Sequence, residues 1–446
     1  MVKLRFRYAP APMKRRVVLP LAIYLVAALV YVSLLGTRAL GPTADNHYVH
    51  MVLGWFQGEL GVLGNTPPGT NDWAFYNGRW FVSFPPLPAL VIAPAVAIWG
   101  TATRDALFWA LLAGLAPALL FVYLRRLSER GGSERSTRDN VVLSALFAFG
   151  TVYFFSAVQG TVWFAALVVS SILLMLFLLA AFEAEHPWLV GLILGGLLAT
   201  RPPATPVVGL VFVVEALRRY RRDVELTIAS DAHPLVRAFE WVRGAHLGWV
   251  LKEIAKVAVP VLVILGLQLW FNYARFDDPF SYGHEYLQIR WRQRIDDWGL
   301  VNLHYFSKNL AVFTSSLPWL YDRPPYVKIS LHGLALWFTT PALFWTLWPR
   351  RVDARTVGLW LAVLPIAFLD LCYQNSGWIQ FGYRFALDYM PLLIVLIALG
   401  RRRFGPGFYA CLLFAVIVNT FGAVTFDRSW RYYDDDGTQN RLFQPD

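Results

Sequence analysis

Two aspartates and two arginines stand where their chemistry asks for an explanation. Asp45 lies in TADNHYVHMVLGWFQGEL and Asp72 in NDWAFYNGRWFVSFPPLP, while Arg201 and Arg384 interrupt apolar stretches, in LLATRPPATP and GYRFALDYMP. A carboxylate among aromatic rings loses hydration, so its pKa rises toward the range where it can take a proton from a hydroxyl or amine. An arginine offers a planar fork that never loses its charge and grips phosphate through two parallel hydrogen bonds. Plainer roles fit the same spacing. Tyr48, Met51, Val52, Trp55 and Phe56 follow Asp45 at helical intervals, so Thr43 or Asp45 begins a helix, and on spacing alone a cap is the better reading of Asp45. Asp72 precedes a tight turn at Tyr76-Asn77-Gly78-Arg79 between short aromatic strands, which suits a turn residue as well as a catalytic one. Arg384 and Asp388 are four apart, the spacing of a pair on one helix face; the pair either lines a cavity or only stabilises a helix end. His47, His50, His284 and His304 show no ligand spacing such as HExxH, and Cys372 and Cys411 are far apart, so neither a metal site nor a disulfide is drawn from them.

The elements that must hold these residues are membrane spans. The chain has 446 residues, 57% apolar and only 15% charged, which is too little charge for a water-soluble globule of this size. Its 19 Trp and 20 Tyr suit a protein anchored at two interfaces. The net charge of +11 does not point to nucleic acid, because the basic residues are dispersed among apolar spans and form no contiguous reading surface. A crossing needs about 20 apolar residues. That criterion predicts an all-α polytopic fold of about eleven spans (range nine to twelve). They fall at 17–36, 104–124, 140–158, 162–182, 187–200, 203–217, 254–272, 332–348, 356–374, 383–399 and 406–426. The basic MVKLRFRYAPAPMKRR ahead of the first span resembles a signal-peptide start, but the long apolar run and the lack of a small-residue cleavage site make it a retained anchor. Leu87 to Trp99 is shorter and rich in proline, and is expected to lie in one leaflet.

Sorting the loops by Lys and Arg puts the N-terminus in the cytoplasm and most basic residues inside. The segments 37–103 and 273–331 become two large outer loops with short surface helices, 218–250 an inner loop with an amphipathic helix, and 427–446 a short outer tail after one domain covering 1–426. Arg201, Asp370, Arg384 and Asp388 then make the outer half of the bundle polar; a cavity opening outward and a structural pairing fit this placement equally, and each arginine taken singly is better read as structural.

Taken in order, TADNHYVHMVLGWFQGEL, DWAFYNGRWFVSFPPLPALVIAPAVAIWG, LLATRPPATP, NYARFDDPFSYGHEY and GWIQFGYRFALDYMPLLIVLIALG resemble bacterial and archaeal members of the dolichyl-phosphate-mannose protein mannosyltransferase-like group of GT-C glycosyltransferases. The resemblance runs from about residue 17 to 426. It implies a membrane enzyme that takes a sugar from a polyprenyl-phosphate donor and passes it, with inversion, to an acceptor at the outer face of the plasma membrane. On that pattern Asp45 is the acceptor-activating base. Arg201, Arg384 and Tyr383 are donor-phosphate ligands, Asp388 is a structural partner, and Asn46, His47, Tyr48, Asp72, Tyr76, His284 and Glu285 are candidates to meet sugar or acceptor. The sequence departs from many relatives in one place: Asn46 follows Asp45 where they carry a second acidic residue. One carboxylate and one cation suffice for such a transfer, because a lipid phosphate leaves without a general acid, unlike the leaving group in glycoside hydrolysis. The expected partners are the donor lipid, the surrounding membrane and an acceptor of unspecified type; no cofactor is implied and no divalent-metal site is indicated. Rival readings are a lipid or sugar transporter, which would place its site near the midplane on repeated, broken helices, and a noncatalytic lipid-binding subunit.

Overall fold

A computed structural model describes residues 13–64, 72–202, 205–221, 234–289 and 291–434, with the side chains of 13–15, 234–238 and 434 excepted. The turn expected at Pro203, the last residue of RRYRR and its continuation to residue 233, and the tail beyond 434 lie outside the described residues. The described chain is mostly helical: α1 Met13–Leu35, α2 His47–Phe56, α3 Leu87–Trp99, α4 Asp105–Ala113, α5 Leu115–Glu129, α6 Thr137–Phe149, α7 Tyr153–Ala157, α8 Val162–Ala181, α9 Pro187–Leu198 and α10 Gly209–Arg219. There follow α11 Pro234–Arg243, α12 Leu247–Phe276, α13 Arg292–Trp298, α14 Phe306–Ser315, α15 Leu336–Thr339, α16 Ala354–Leu371, α17 Met390–Leu399 and α18 Pro406–Thr425. Strands β1 Trp73–Tyr76 and β2 Arg79–Val82 form an antiparallel hairpin, and β3 Trp319–Leu320, β4 Val327–Ser330 and β5 Tyr433–Asp434 form a small mixed sheet.

Six helical stretches among the described residues are long and apolar enough to cross a bilayer, at 16–39, 105–129, 162–184, 247–276, 354–371 and 406–425. The chain is a multi-pass helical membrane protein. Other expected spans are shorter or broken. The stretch 332–348 contains only the four-residue α15 and a 3-10 segment, Pro341–Thr346. Pro341 has no N–H to offer the Trp337 carbonyl, and past the break the Thr339 carbonyl accepts from the Asn419 side chain at 2.7 Å. The stretch 383–399 is likewise divided into a 3-10 turn, Arg384–Asp388, and α17. Pro391 lacks the N–H that would reach Leu387 and disfavours helical geometry at the residue before it, so the regular helix begins only there.

The core runs through α5, α6, α8, α17 and the ring-rich contacts between α7 and α18. Helix α8 is its axis: 16 of its 20 residues are buried, whereas α1 and α12 expose Leu29, Leu262, Leu267 and Trp270 along faces suited to lipid. The short α3 matches the expected 87–99 segment and packs its Ala89, Ile92 and Val96 against α2. The β1–β2 hairpin turns at Asn77 and Gly78, whose φ values of 47° and 74° are those of a type I′ turn.

Candidate functional site

The first turn of α8 organises the site. Gly160, just before it, has φ +80° and approaches α4 so closely that a Cβ would sit 2.4 Å from the Ala106 Cα. Only glycine allows both the dihedral and the approach. The next residues then touch three different site groups in succession. The Val162 N–H donates to the Asp45 carbonyl at 3.0 Å, the Trp163 indole Nε1–H donates to the Asp72 carboxylate at 2.7 Å, and the Phe164 ring lies 4.9 Å from the Arg384 guanidinium.

The loop bearing Asp45 is fixed from the α4 side as well. The Thr43 N–H and hydroxyl donate to the two Asp105 carboxylate oxygens at 2.8 and 2.5 Å. Asp45 is therefore held through its backbone, while its side chain has no hydrogen bond or ion pair among the described residues. It is half-buried, and loss of hydration raises its pKa above the usual carboxylate value, with the charges of Asp427, Asp72 and Asp105 pushing the same way. The capping alternative does not apply, because Asn46 occupies the N-cap of α2 and neither it nor Asp45 makes a side-chain cap bond. Asp72 sits at φ 59°, a left-handed conformation that aspartate tolerates, and burial raises its pKa while the Trp163 bond and Arg384 pull it down.

The arginines differ from expectation. Asp388 does not pair with Arg384. It receives a forked contact from Arg201, with Nε at 3.0 and 3.1 Å from its two oxygens and Nη2 on Oδ2. The cause is the 3-10 geometry of 384–388: without a full α-turn, positions four apart do not lie on one face. Arg384 is buried; its side chain donates only to the Ile379 carbonyl at 3.3 Å, leaves its Nε without a hydrogen bond, and pairs with no carboxylate among the described residues. Its surroundings include Arg201 and Asp72. Tyr48 and Tyr383 are buried with hydroxyls that also lack a partner, and Arg201 lies within electrostatic reach of both. His47 is fully buried and stacks on Trp73 at 3.9 Å, which makes it part of the wall.

Tyr76 packs in a separate cluster around Ala74, Phe81, Phe276 and Leu287, and His284 and Glu285 lie in the 3-10 turn His284–Tyr286 that adjoins it. The Tyr76 hydroxyl donates to Asp277 at 3.1 Å, Glu285 accepts from the Ser281 hydroxyl, and burial with the nearby Arg275 charge lowers the His284 pKa to about 4. Among the described hydrogen bonds and ion pairs, none joins these three residues to Asp45, Arg201 or Arg384. Arg275 links this cluster to the hairpin by donating to the Val82 carbonyl at 2.7 Å.

Several positioning residues went unmarked in the sequence. Trp163 is one, in the first turn of α8. Asp105 is another. Arg38 is a third: it donates to the Gln159 side chain at 2.6 Å and to Asp427 at 2.5 Å, tying the ends of α1, α7 and α18 together beside Asp45. Among the described residues no group of three or more His, Cys, Asp or Glu side chains is placed to hold a metal ion.

No family model matches the chain, and no curated protein does. Solved structures that resemble it include ArnT from Cupriavidus metallidurans bound to undecaprenyl phosphate, at 16% identity and a TM-score of 0.49, covering 97% of this chain and 68% of that one. Another is the Archaeoglobus fulgidus oligosaccharyltransferase tethered with an acceptor peptide, at 14% identity and a TM-score of 0.49, covering 93% of this chain. This chain spans 55% of that protein's length. The chain is a multi-pass helical membrane protein in which the start of one helix meets the loop of an aspartate whose carboxylate has no described bond and a buried arginine that forms no ion pair among the described residues.

Proposed function

We propose that this protein is a membrane glycosyltransferase that moves a sugar from a polyprenyl-phosphate donor to an acceptor at the outer face of the plasma membrane. The observation that carries the reading is the pair of uncommitted opposite charges at the start of α8. Asp45 offers a half-buried carboxylate with no partner of its own, and Arg384 a buried guanidinium that Asp72 attracts but no carboxylate contacts. A buried cation left uncompensated is costly unless an anion arrives to meet it. The ordered motifs quoted from the sequence support the same class of reaction.

In the proposed step the Asp45 carboxylate accepts the proton of the acceptor hydroxyl or amine as that atom bonds to the anomeric carbon. The bond from that carbon to the phosphate oxygen breaks with inversion, and its electron pair leaves on the lipid phosphate. Arg384 stabilises the departing charge, and the Tyr383 and Tyr48 hydroxyls, which have no hydrogen-bond partner, donate to phosphate or sugar oxygens. Arg201 takes a smaller part than the sequence implied, because Asp388 already occupies its fork and neutralises its charge. Asp72, hydrogen-bonded to Trp163, keeps a negative charge near Asp45 and so favours proton uptake there. Tyr76, His284 and Glu285 would meet the acceptor only if it extended to the hairpin cluster.

The test is transfer of labelled sugar from polyprenyl-phosphate donors by purified protein in liposomes. Asp45→Asn should lower kcat by about 10²–10⁴ with little change in donor KM, and Arg384→Gln should raise donor KM. Undiminished transfer by Asp45→Asn would sink the proposed base.

A further inference from the structure

The end of the bundle opposite Asp45 carries a cavity that the proposed reaction does not use. It has a volume of about 410 Å³ and lies between α1 and α5, lined by Arg16, Val122, Arg125, Arg126, Glu129 and Arg130. Arg16 stands about 28 Å along α1 from Leu35, at a rise of about 1.5 Å per residue, so the cavity is a bilayer's depth from the candidate site. Four arginines face one glutamate there, and their commitments differ. Arg126 is paired with Glu185 at 2.5 Å, and Arg130 reaches Glu183 at 3.3 Å and Glu185 at 3.9 Å. Arg125 has only a distant Glu129 contact of 4.0 Å and donates to the Arg16 carbonyl, and the Arg16 side chain pairs with no carboxylate among the described residues. Two cations thus keep uncompensated charge at the mouth of a recess.

We infer that this recess binds the phosphate of an anionic phospholipid headgroup. The occupant is a lipid and not free phosphate because of what adjoins the arginines. Val17, Val18, Leu21 and Leu25 of α1 are 63%, 60%, 51% and 47% exposed and continue from Arg16 as an apolar face on which acyl chains lie. A guanidinium fork at the end of a lipid-facing helix meets the phosphate at headgroup depth, and basic pockets between spans hold anionic headgroups in this way. A zwitterionic headgroup brings a second positive charge and is disfavoured.

Native mass spectrometry of the full chain, released from detergent with added phosphatidylglycerol or phosphatidylcholine, tests the assignment. Wild type should retain phosphatidylglycerol preferentially. Arg16→Gln and Arg125→Gln should each lower its affinity about fivefold, and Arg79→Gln, which removes the same charge from the distant hairpin, should not. Arg16 makes no described side-chain bond, so Arg16→Gln reports on the site even if Arg125→Gln folds poorly. Equal retention by wild type and Arg16→Gln, equal retention of the two lipids, or displacement of phosphatidylglycerol by millimolar inorganic phosphate would each overturn the inference.

Discussion

The Arg201–Asp388 pair makes a sharp prediction because only one of the two site arginines is held in an ion pair. The Asp388 side chain is 1% exposed and that of Arg201 22%, and three contacts join them. Asp388→Asn keeps the shape and one acceptor oxygen but leaves the guanidinium without its counter-charge. Breaking one side of a buried pair costs about 3–5 kcal/mol. The retained amide oxygen and the partial exposure of Arg201 place this case at the lower end, about 3 kcal/mol. Removing both charges, as in Arg201→Met with Asp388→Leu, should recover much of that loss, since apolar replacements of matching volume avoid the desolvation of two ions. Arg384→Gln should behave in the opposite sense. Its cation is in no ion pair and has only a longer-range attraction to Asp72 set against its burial, so a neutral side chain leaves stability little changed or raises it while donor binding falls. Thermal unfolding in detergent, run beside donor KM on the same preparations, separates the two effects. The reasoning is refuted if Asp388→Asn melts like wild type, or if Arg384→Gln destabilises as much as Asp388→Asn does.

Further outcomes follow from the same geometry. Asp72→Asn keeps an oxygen for the Trp163 indole but removes a charge that raises the Asp45 pKa, so the acid limb of the pH–rate profile should move to lower pH; an unmoved limb would separate the two aspartates. Trp163→Phe deletes a donor to a buried carboxylate and should cost about 1.5–3 kcal/mol in unfolding experiments. Asp45 has a folded pKa above its unfolded value, so stability falls as pH rises through that window and the penalty is complete above it. Asp45→Asn should therefore melt higher than wild type at pH 7.5, with the difference vanishing below about pH 4. For His284 the sign reverses: its folded pKa of about 4 lies below the ordinary 6.5, so its contribution is full above 6.5 and is lost as pH falls toward 4. That loss amounts to up to about 3 kcal/mol, and His284→Gln should flatten the pH dependence of melting over that interval.

Much of the fold was legible because membrane insertion is a local criterion. An apolar run long enough to cross satisfies its backbone internally wherever it sits, so α1, α8, α12, α16 and α18 could be read from composition and length. The hairpin was equally readable, since Asn77-Gly78 supplies the two left-handed residues that its turn demands. The breaks at 332–348 and 383–399 were not anticipated, although Pro341 and Pro391 marked them. A proline can start a helix, kink it or end it, and the choice depends on which neighbour takes the carbonyls left at the break, as Asn419 does for Thr339.

The site divides in the same way. By itself the sequence determined which residues carry charge into apolar spans, Arg201, Arg384 and Asp388, because ionisable groups there are costly, and it marked Asp45 and Asp72 as the carboxylates of an aromatic loop. Tertiary structure decided how they are shared. It gave Asp388 to Arg201, 187 positions away, instead of to its near neighbour Arg384. It also set the start of α8 against the Asp45 loop and Asp72, and placed Tyr76, His284 and Glu285 in or beside another cluster. Charge pairing depends on distances through space that the close packing at Gly160 and the broken turn at 384–388 fix, and no spacing along the chain encodes them.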